Sequence, residues 1–162
     1  NTYEQIFSEE TAFQMTSILE GVVKRGTAKK LKDLKLNIAG KTGTTNKNTD
    51  TWFIGFSSNF VIGVYVGFDE PSSLGKYETG ARTAMPIFKN FVKNSVKKNN
   101  ARPFKIPQGI KMLVVNSETG MRASYNDKSI IIEAFKEKDL VNNKIQYGNK
   151  DYISKENIYK FY

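Results

Sequence analysis

The sequence predicts an α+β fold: a three-stranded antiparallel sheet packed by helices, with a small β-rich extension after it. Three observations carry this. Two stretches repeat apolar residues at helical spacing, 8–25 and 84–98. Between them lie three strand-like runs, two of them joined by the hairpin signal Ser57-Ser58-Asn59. Beyond a Pro-bearing break at 99–109, two further short apolar runs follow.

Each element has its own signal. Ser8 suits a helix N-cap, and Glu9 and Glu10 suit the positive end of the dipole. Ala12, Met15, Leu19 and Val22, with Ile18 and Val23 beside them, form the stripe. Lys24, Arg25 and Gly26 end it. After the Lys-rich stretch 27–35, strands are expected at 36–45, 51–56 and 60–68. Residues 69–80 are rich in Pro, Ser and Gly and read as a loop. The second helix tolerates Pro86 near its start and presents Ile87, Phe88, Phe91, Val92 and Val96. Residues 110–115 read as a strand, 116–120 as a turn, and 129–135 as a strand or short helix. The expected organisation is a main body over 1–98, a linker over 99–109, an extension over 110–138, and a polar tail over 139–162, partly disordered.

Composition narrows the chemistry. A chain of 162 residues with 39% hydrophobic residues, 11 Phe and 8 Tyr can build a core. The net charge of +9 favours acidic partners, but the lysines are scattered without interleaved aromatics, so specific nucleic-acid binding is not expected. The chain has no His and no Cys. That removes Ser-His-Asp and Cys-His mechanisms, disulfides and thiolate metal sites, and neither a cofactor nor a metal is expected. The longest apolar stretch, 60–68, is too short to span a bilayer. Because residue 1 is Asn, the chain is expected to be cut from a longer one, with any anchor or signal outside it.

The stretch that carries chemistry is Ala39-Gly40-Lys41-Thr42-Gly43-Thr44-Thr45. In a strand, Lys41, Gly43 and Thr45 share one face while Thr42 and Thr44 share the other. At a sheet edge such a strand offers N–H groups to an extended peptide, and a cation and hydroxyls to a carboxylate. Gly43 would let a ligand approach closely. A phosphate loop is the weaker reading of Gly40-Lys41-Thr42. The glycine required five positions earlier is Lys35, and Thr44, Thr45 and Asn46 are poor openers of a helix.

The Lys-Thr-Gly triplet is common by itself, and its surroundings make it specific. Ser8–Phe13, Met15–Gly26, Gly40–Asn46, Trp52–Phe56, Val64–Asp69, Leu74-Gly75, Glu78–Gly80 and Pro86–Phe88 stand in the order and spacing of one family. The chain resembles the transpeptidase domain of class A (bifunctional) penicillin-binding proteins, of the penicillin-binding protein 1A type. Ile106–Ile110, Thr119-Gly120 and Glu133–Lys136 resemble the segment that follows that domain. The resemblance spans roughly 8–138.

This resemblance implies a partial β-lactamase/transpeptidase-like fold and a serine acyl-enzyme D,D-transpeptidase that crosslinks peptidoglycan stem peptides and binds β-lactams. It implies Lys41 as the catalytic cation, the Thr44 N–H as an oxyanion donor, and Thr42, Gly43, Thr44 and Thr45 as the substrate-binding edge. Trp52 is expected to pack on the neighbouring strand, a direct substrate contact being the lesser reading. Implied partners are the D-Ala-D-Ala stem peptide, β-lactam antibiotics and the missing N-terminal part of the same protein. The implied location is the periplasmic or outer face of the bacterial cytoplasmic membrane.

The family's nucleophile belongs to a Ser-x-x-Lys motif upstream of Lys-Thr-Gly. Here Ser73–Lys76, Ser95–Lys98 and the Ser-x-Asn triplet at Ser57 all fall after Lys41 and read as coincidences. The fragment is therefore expected to be inactive alone and, with open edges, to self-associate. The competing readings are a β-lactamase or carboxypeptidase relative sharing the strand, and a non-catalytic basic module for an anionic polymer.

Overall fold

A computed structural model of the chain describes residues 4–96 and 102–141. Two compact units divide it, one formed by Met15–Lys105 and the other by the segments on either side.

In the Met15–Lys105 unit, β1 (Ala39–Thr44), β2 (Asp50–Phe56) and β3 (Val61–Gly67) form an antiparallel sheet in the order β1-β2-β3. Lys41 lies across from Ile54, Gly43 from Trp52, and Trp52 from Tyr65. The β2–β3 hairpin closes with the Ser57 N–H donating to the Phe60 carbonyl at 2.9 Å, around Ser58 and Asn59 as expected. The β1–β2 turn needs positive φ at Lys47 (62°) and Asn48 (55°), a conformation that asparagine tolerates better than lysine.

Alternation sorts the sheet into two faces. Thr51 and Phe53 are fully buried beneath α2 (Ala84–Ser95), while Trp52, Ile54 and Tyr65 on the opposite face are 43–48% exposed. Phe88 meets Phe53 edge-on, with ring centroids 4.8 Å apart. Around this pair Val23, Leu31, Ile38, Ala84, Met85 and Val92 complete the core.

The helices are present, but their buried sides differ from the expected stripes. In α1 (Glu9–Lys24) the residues withdrawn from solvent are Phe13, Ser17, Gly21 and Val23, whereas Met15 and Ile18 are each 52% exposed. In α2 Phe88 and Val92 are buried, while Ile87 and Phe91 stay half-exposed. Periodicity marks every apolar position on a helix, and only the packing partner selects which of them go inside. The Lys-rich stretch contains a 3-10 turn, Lys29–Leu34, whose Leu31 is buried. Sequence patterning read only its charges.

Part of the expected linker is held on this unit: Phe104 packs against Phe56 at 5.7 Å, and the Arg102 carbonyl accepts the Ser58 hydroxyl.

The other unit is built on the antiparallel pair β4 (Ile110–Asn116) and β5 (Ile130–Lys136), followed by the short α3 (Glu137–Val141). Residues 129–135, left open between strand and helix, are strand from Ile130. Asn116 organises the connection. Its Oδ1 accepts the Glu118 and Thr119 N–H groups, and its Nδ2 donates to Asp127. The first turns of α1 belong to this unit, where Lys136 Nζ donates to Thr11 Oγ1 (2.6 Å) and Gln14 Nε2 to the Ala134 carbonyl (3.0 Å). Most of the polar tail, from residue 142, lies outside the described residues.

Candidate active site

Among the described residues β1 is an edge strand, pairing with β2 on one side. The Thr45 N–H donates to the Asp50 carbonyl at 3.0 Å, which makes Thr45–Asp50 a hydrogen-bonded pair of the ladder. Antiparallel pairs alternate, so Lys41 and Gly43 turn their backbone groups into the sheet, and Thr42 and Thr44 turn theirs outward. The open edge thus presents the Thr42 carbonyl and the Thr44 N–H.

The side chains converge on this edge. Lys41 is exposed, and its ammonium folds over the edge to the Thr42 carbonyl (2.8 Å) and to Thr42 Oγ1 (3.3 Å). Thr27 Oγ1 lies 3.4 Å from Thr42 Oγ1, which draws the loop after α1 to the same spot. The Thr44 hydroxyl oxygen accepts the Gly80 N–H at 3.1 Å.

Gly43 is enclosed from both sides. A Cβ there would lie 3.2 Å from Trp52 Cβ, and Gly80 on the other face lies so close that its own Cβ would come within 2.6 Å of the Gly43 carbonyl oxygen. Close backbone packing requires glycine at position 80, and at position 43 a side chain would crowd Trp52.

Thr45 is drawn into the turn. Its Oγ1 accepts the Asp50 N–H (2.8 Å) and sits 2.8 Å from Thr49 Oγ1. Asp50 anchors this corner, its carboxylate accepting the hydroxyls of Tyr65 (2.7 Å) and Thr49 (3.0 Å). The Tyr65 hydrogen bond, followed by that of Thr49, holds the Asp50 carboxyl below the usual aspartate range, and Asp50 in turn raises the Tyr65 phenol. Trp52 stacks at a tilt on Tyr65, with centroids 4.9 Å apart, on the sheet face shared with Lys41 and Gly43. Sequence reading did not single out Asp50, Tyr65 or Asn48. The tolerance of asparagine for positive φ was the one local signal available for Asn48.

The serine motifs do not form comparable arrangements. Ser73 Oγ accepts the Gly75 N–H, and Lys76 Nζ sits over the Tyr77 ring instead of the serine. Ser57 Oγ accepts the Asn59 N–H within its hairpin. Ser95 ends α2, and its partner Lys98 lies outside the described residues. Among the described residues, no group of three or more His, Cys, Asp or Glu could hold a metal ion, and no helix is long and apolar enough to cross a membrane.

Comparison with known proteins places the chain in a family. Residues 2–93 match the penicillin binding protein transpeptidase domain. Penicillin-binding protein 1A of Rickettsia conorii is 41% identical over 152 residues, covering 94% of this chain and 18% of that protein. Penicillin-binding protein 1A of Pseudomonas aeruginosa is 39% identical over 137 residues, covering 84% of this chain and 17% of that protein. The crystal structure of penicillin-binding protein 1A from Haemophilus influenzae superposes with a TM-score of 0.73 at 28% identity, over 91% of this chain and 22% of that one. The chain therefore spans about a fifth of the length of these relatives. With an open-edged Lys-Thr-Gly strand in an α+β frame, the chain belongs to the penicillin-binding protein transpeptidase family, of the penicillin-binding protein 1A type.

Proposed function

We propose that this chain supplies the Lys-Thr-Gly edge of a peptidoglycan D,D-transpeptidase site whose nucleophilic serine comes from another segment of polypeptide. The observation that carries the reading is the outward-facing Thr44 N–H, beside the Lys41 ammonium and the Thr42 and Thr44 hydroxyls on an open strand edge.

In this reading the stem peptide lies along β1 as an added strand. Its terminal carboxylate takes hydrogen bonds from the Thr42 and Thr44 hydroxyls and the positive potential of Lys41. The serine attacks the penultimate D-Ala carbonyl, and the oxyanion forms against the Thr44 N–H and the serine's own N–H. The terminal D-Ala leaves with a proton on its amine. An amine of a second stem peptide then displaces the serine, forming the crosslink and returning the proton to the site. A β-lactam enters the same way, but its ring opens without releasing a leaving group, so the acyl-enzyme persists. Lys41 supports the proton-transfer network, to which this chain contributes no histidine.

Three further proposals accompany this one. Alone, the 162-residue chain neither turns over peptide nor traps penicillin, since Ser73 and Ser57 are tied up in local turns and Ser95 ends α2. The open β1 edge and the half-exposed Trp52, Ile54 and Tyr65 face drive self-association of the isolated chain, read by sedimentation velocity. The site works on the outer face of the cytoplasmic membrane, with 110–138 a small extension of the catalytic body.

The test is covalent labelling by a fluorescent penicillin, read on a denaturing gel, for this chain and for the longer polypeptide encoded by its full gene. The longer form should label and the short chain should not, and Lys41→Ala should suppress labelling of the longer form. Labelling of the short chain would restore Ser73 or Ser95 as a nucleophile. An unlabelled longer form would end the transpeptidase reading.

A further inference from the structure

The Thr44 hydroxyl is fixed in one hydrogen-bonding sense by a loop remote in sequence. Its oxygen accepts the Gly80 N–H at 3.1 Å, and among the described residues its own O–H meets no acceptor. A hydroxyl has one proton to give. With a lone pair occupied by Gly80, that proton is left to point out of the edge, where it suits an acceptor-only ligand such as a carboxylate.

The position of Gly80 is in turn secured by Asn48. Asn48 Nδ2 donates to the Glu78 carbonyl at 2.7 Å and reaches the Lys76 carbonyl at 3.4 Å, and the Asn48 carbonyl accepts the Leu74 N–H at 2.8 Å. One residue therefore grips the 74–80 loop at three backbone points. Beyond Gly80 the loop is fastened again: the Gly80 carbonyl accepts the Met85 N–H, and Thr83 pairs with the fully buried Thr51. Only glycine fits at position 80, because any Cβ would press into the Gly43 and Trp52 backbone.

We propose that Asn48 and Gly80 are positioning residues, which hold the 74–80 loop so that the Thr44 hydroxyl is presented as a donor to the carboxylate of the incoming peptide or β-lactam. This deepens, and rests on, the transpeptidase reading above. Asn48 touches no substrate; it acts through the loop.

The experiment uses the longer polypeptide and two acylating probes, a penicillin with its free carboxylate and the methyl ester of the same penicillin. The ratio of their acylation rates measures carboxylate recognition separately from serine chemistry. Asn48→Asp keeps shape and positive-φ tolerance but removes the amide donor, and Asn48→Gly keeps the backbone freedom and removes the whole side chain. Both should lower the free-acid rate roughly ten- to a hundredfold, as expected for loss of a well-placed hydrogen bond to a charged group, with the ester rate unchanged. Thr44→Val, which removes the hydroxyl itself, should lower the free-acid rate at least as much. Thermal unfolding of each variant checks that it folds. If both Asn48 variants fold and keep the wild-type ratio, or if both probes slow equally, the positioning role is overturned while the transpeptidase reading stands. If wild type reacts with neither probe, the transpeptidase reading itself falls, and this inference with it.

Discussion

The two units of this chain are built from strands of similar individual length but have very different interiors. The three-stranded unit buries Phe53, Phe88, Leu31, Met85 and Val92 almost completely, with a helix sealing one face of its sheet. The β4–β5 unit has two strands, and its buried apolar side chains are mainly small: Val115, Ala123 and Ala134, with Phe13 from the first turns of α1. A two-stranded ribbon is marginal in water without something packed on it. Its order rests on polar ties instead, in which Asn116 and Asp127 organise the connection and Lys136 and Gln14 hold the N-terminal segment. This apolar packing sits under β2, the strand to which the candidate site strand β1 is paired, so a shift of an ångström there would displace the Thr44 N–H.

The largest expected effect tests that contrast directly. Phe88→Ala removes the ring against Phe53 and should destabilise its unit by about 3–5 kcal/mol. Trp52, the single tryptophan, lies in the same unit, so its fluorescence during urea unfolding reads the loss. Val115→Ala, the counterpart in the two-stranded unit, should cost about 1.5–2.5 kcal/mol, measured by hydrogen exchange of the β4–β5 amides. Equal losses would break the comparison.

Lys41→Ala sharpens it from the functional side. The side chain is exposed and buries nothing, so the Trp52-monitored unfolding midpoint should barely move. Penicillin labelling of the longer polypeptide should nonetheless fall by about 100-fold, a cost of about 2.7 kcal/mol in the barrier. A change in stability as large as that in labelling would make Lys41 a structural residue.

The smallest effect concerns acid. The folded Asp50 carboxyl sits below its unfolded value, chiefly through Tyr65. Its stabilising contribution is therefore complete above the unfolded aspartate pKa and is lost as pH falls through the folded one. Asp50→Asn should flatten the decline in stability below about pH 4, compared by urea midpoints at neutral and acid pH. An unchanged acid limb would show that the Tyr65 hydrogen bond adds nothing.

Much of the fold was legible because it rests on local rules. The β2–β3 hairpin was marked by its turn residues, and α1 by Ser8, the acidic first turn and Gly26. The buried sides of the helices were harder to read. Met15, Ile18, Ile87 and Phe91 are as apolar as the residues that go inside, and nothing in their spacing says which side is buried. The Lys29–Leu34 turn was hidden because a single buried Leu31 stands among lysines.

By itself the sequence determined the family and the candidate strand, since Lys41, Thr42 and Thr44 stand within four consecutive residues and alternation along a strand is a local property. Tertiary structure alone decided what surrounds that strand. The register set by the Thr45–Asp50 pair turns the Thr44 N–H outward, and Gly80, 36 residues away, takes the lone pair of its hydroxyl. Such relations depend on chain segments that meet only after folding, when burial of Phe53 and Phe88 has brought β1, β2 and the loop before α2 together. Spacing along the chain carries no record of a contact made across that distance.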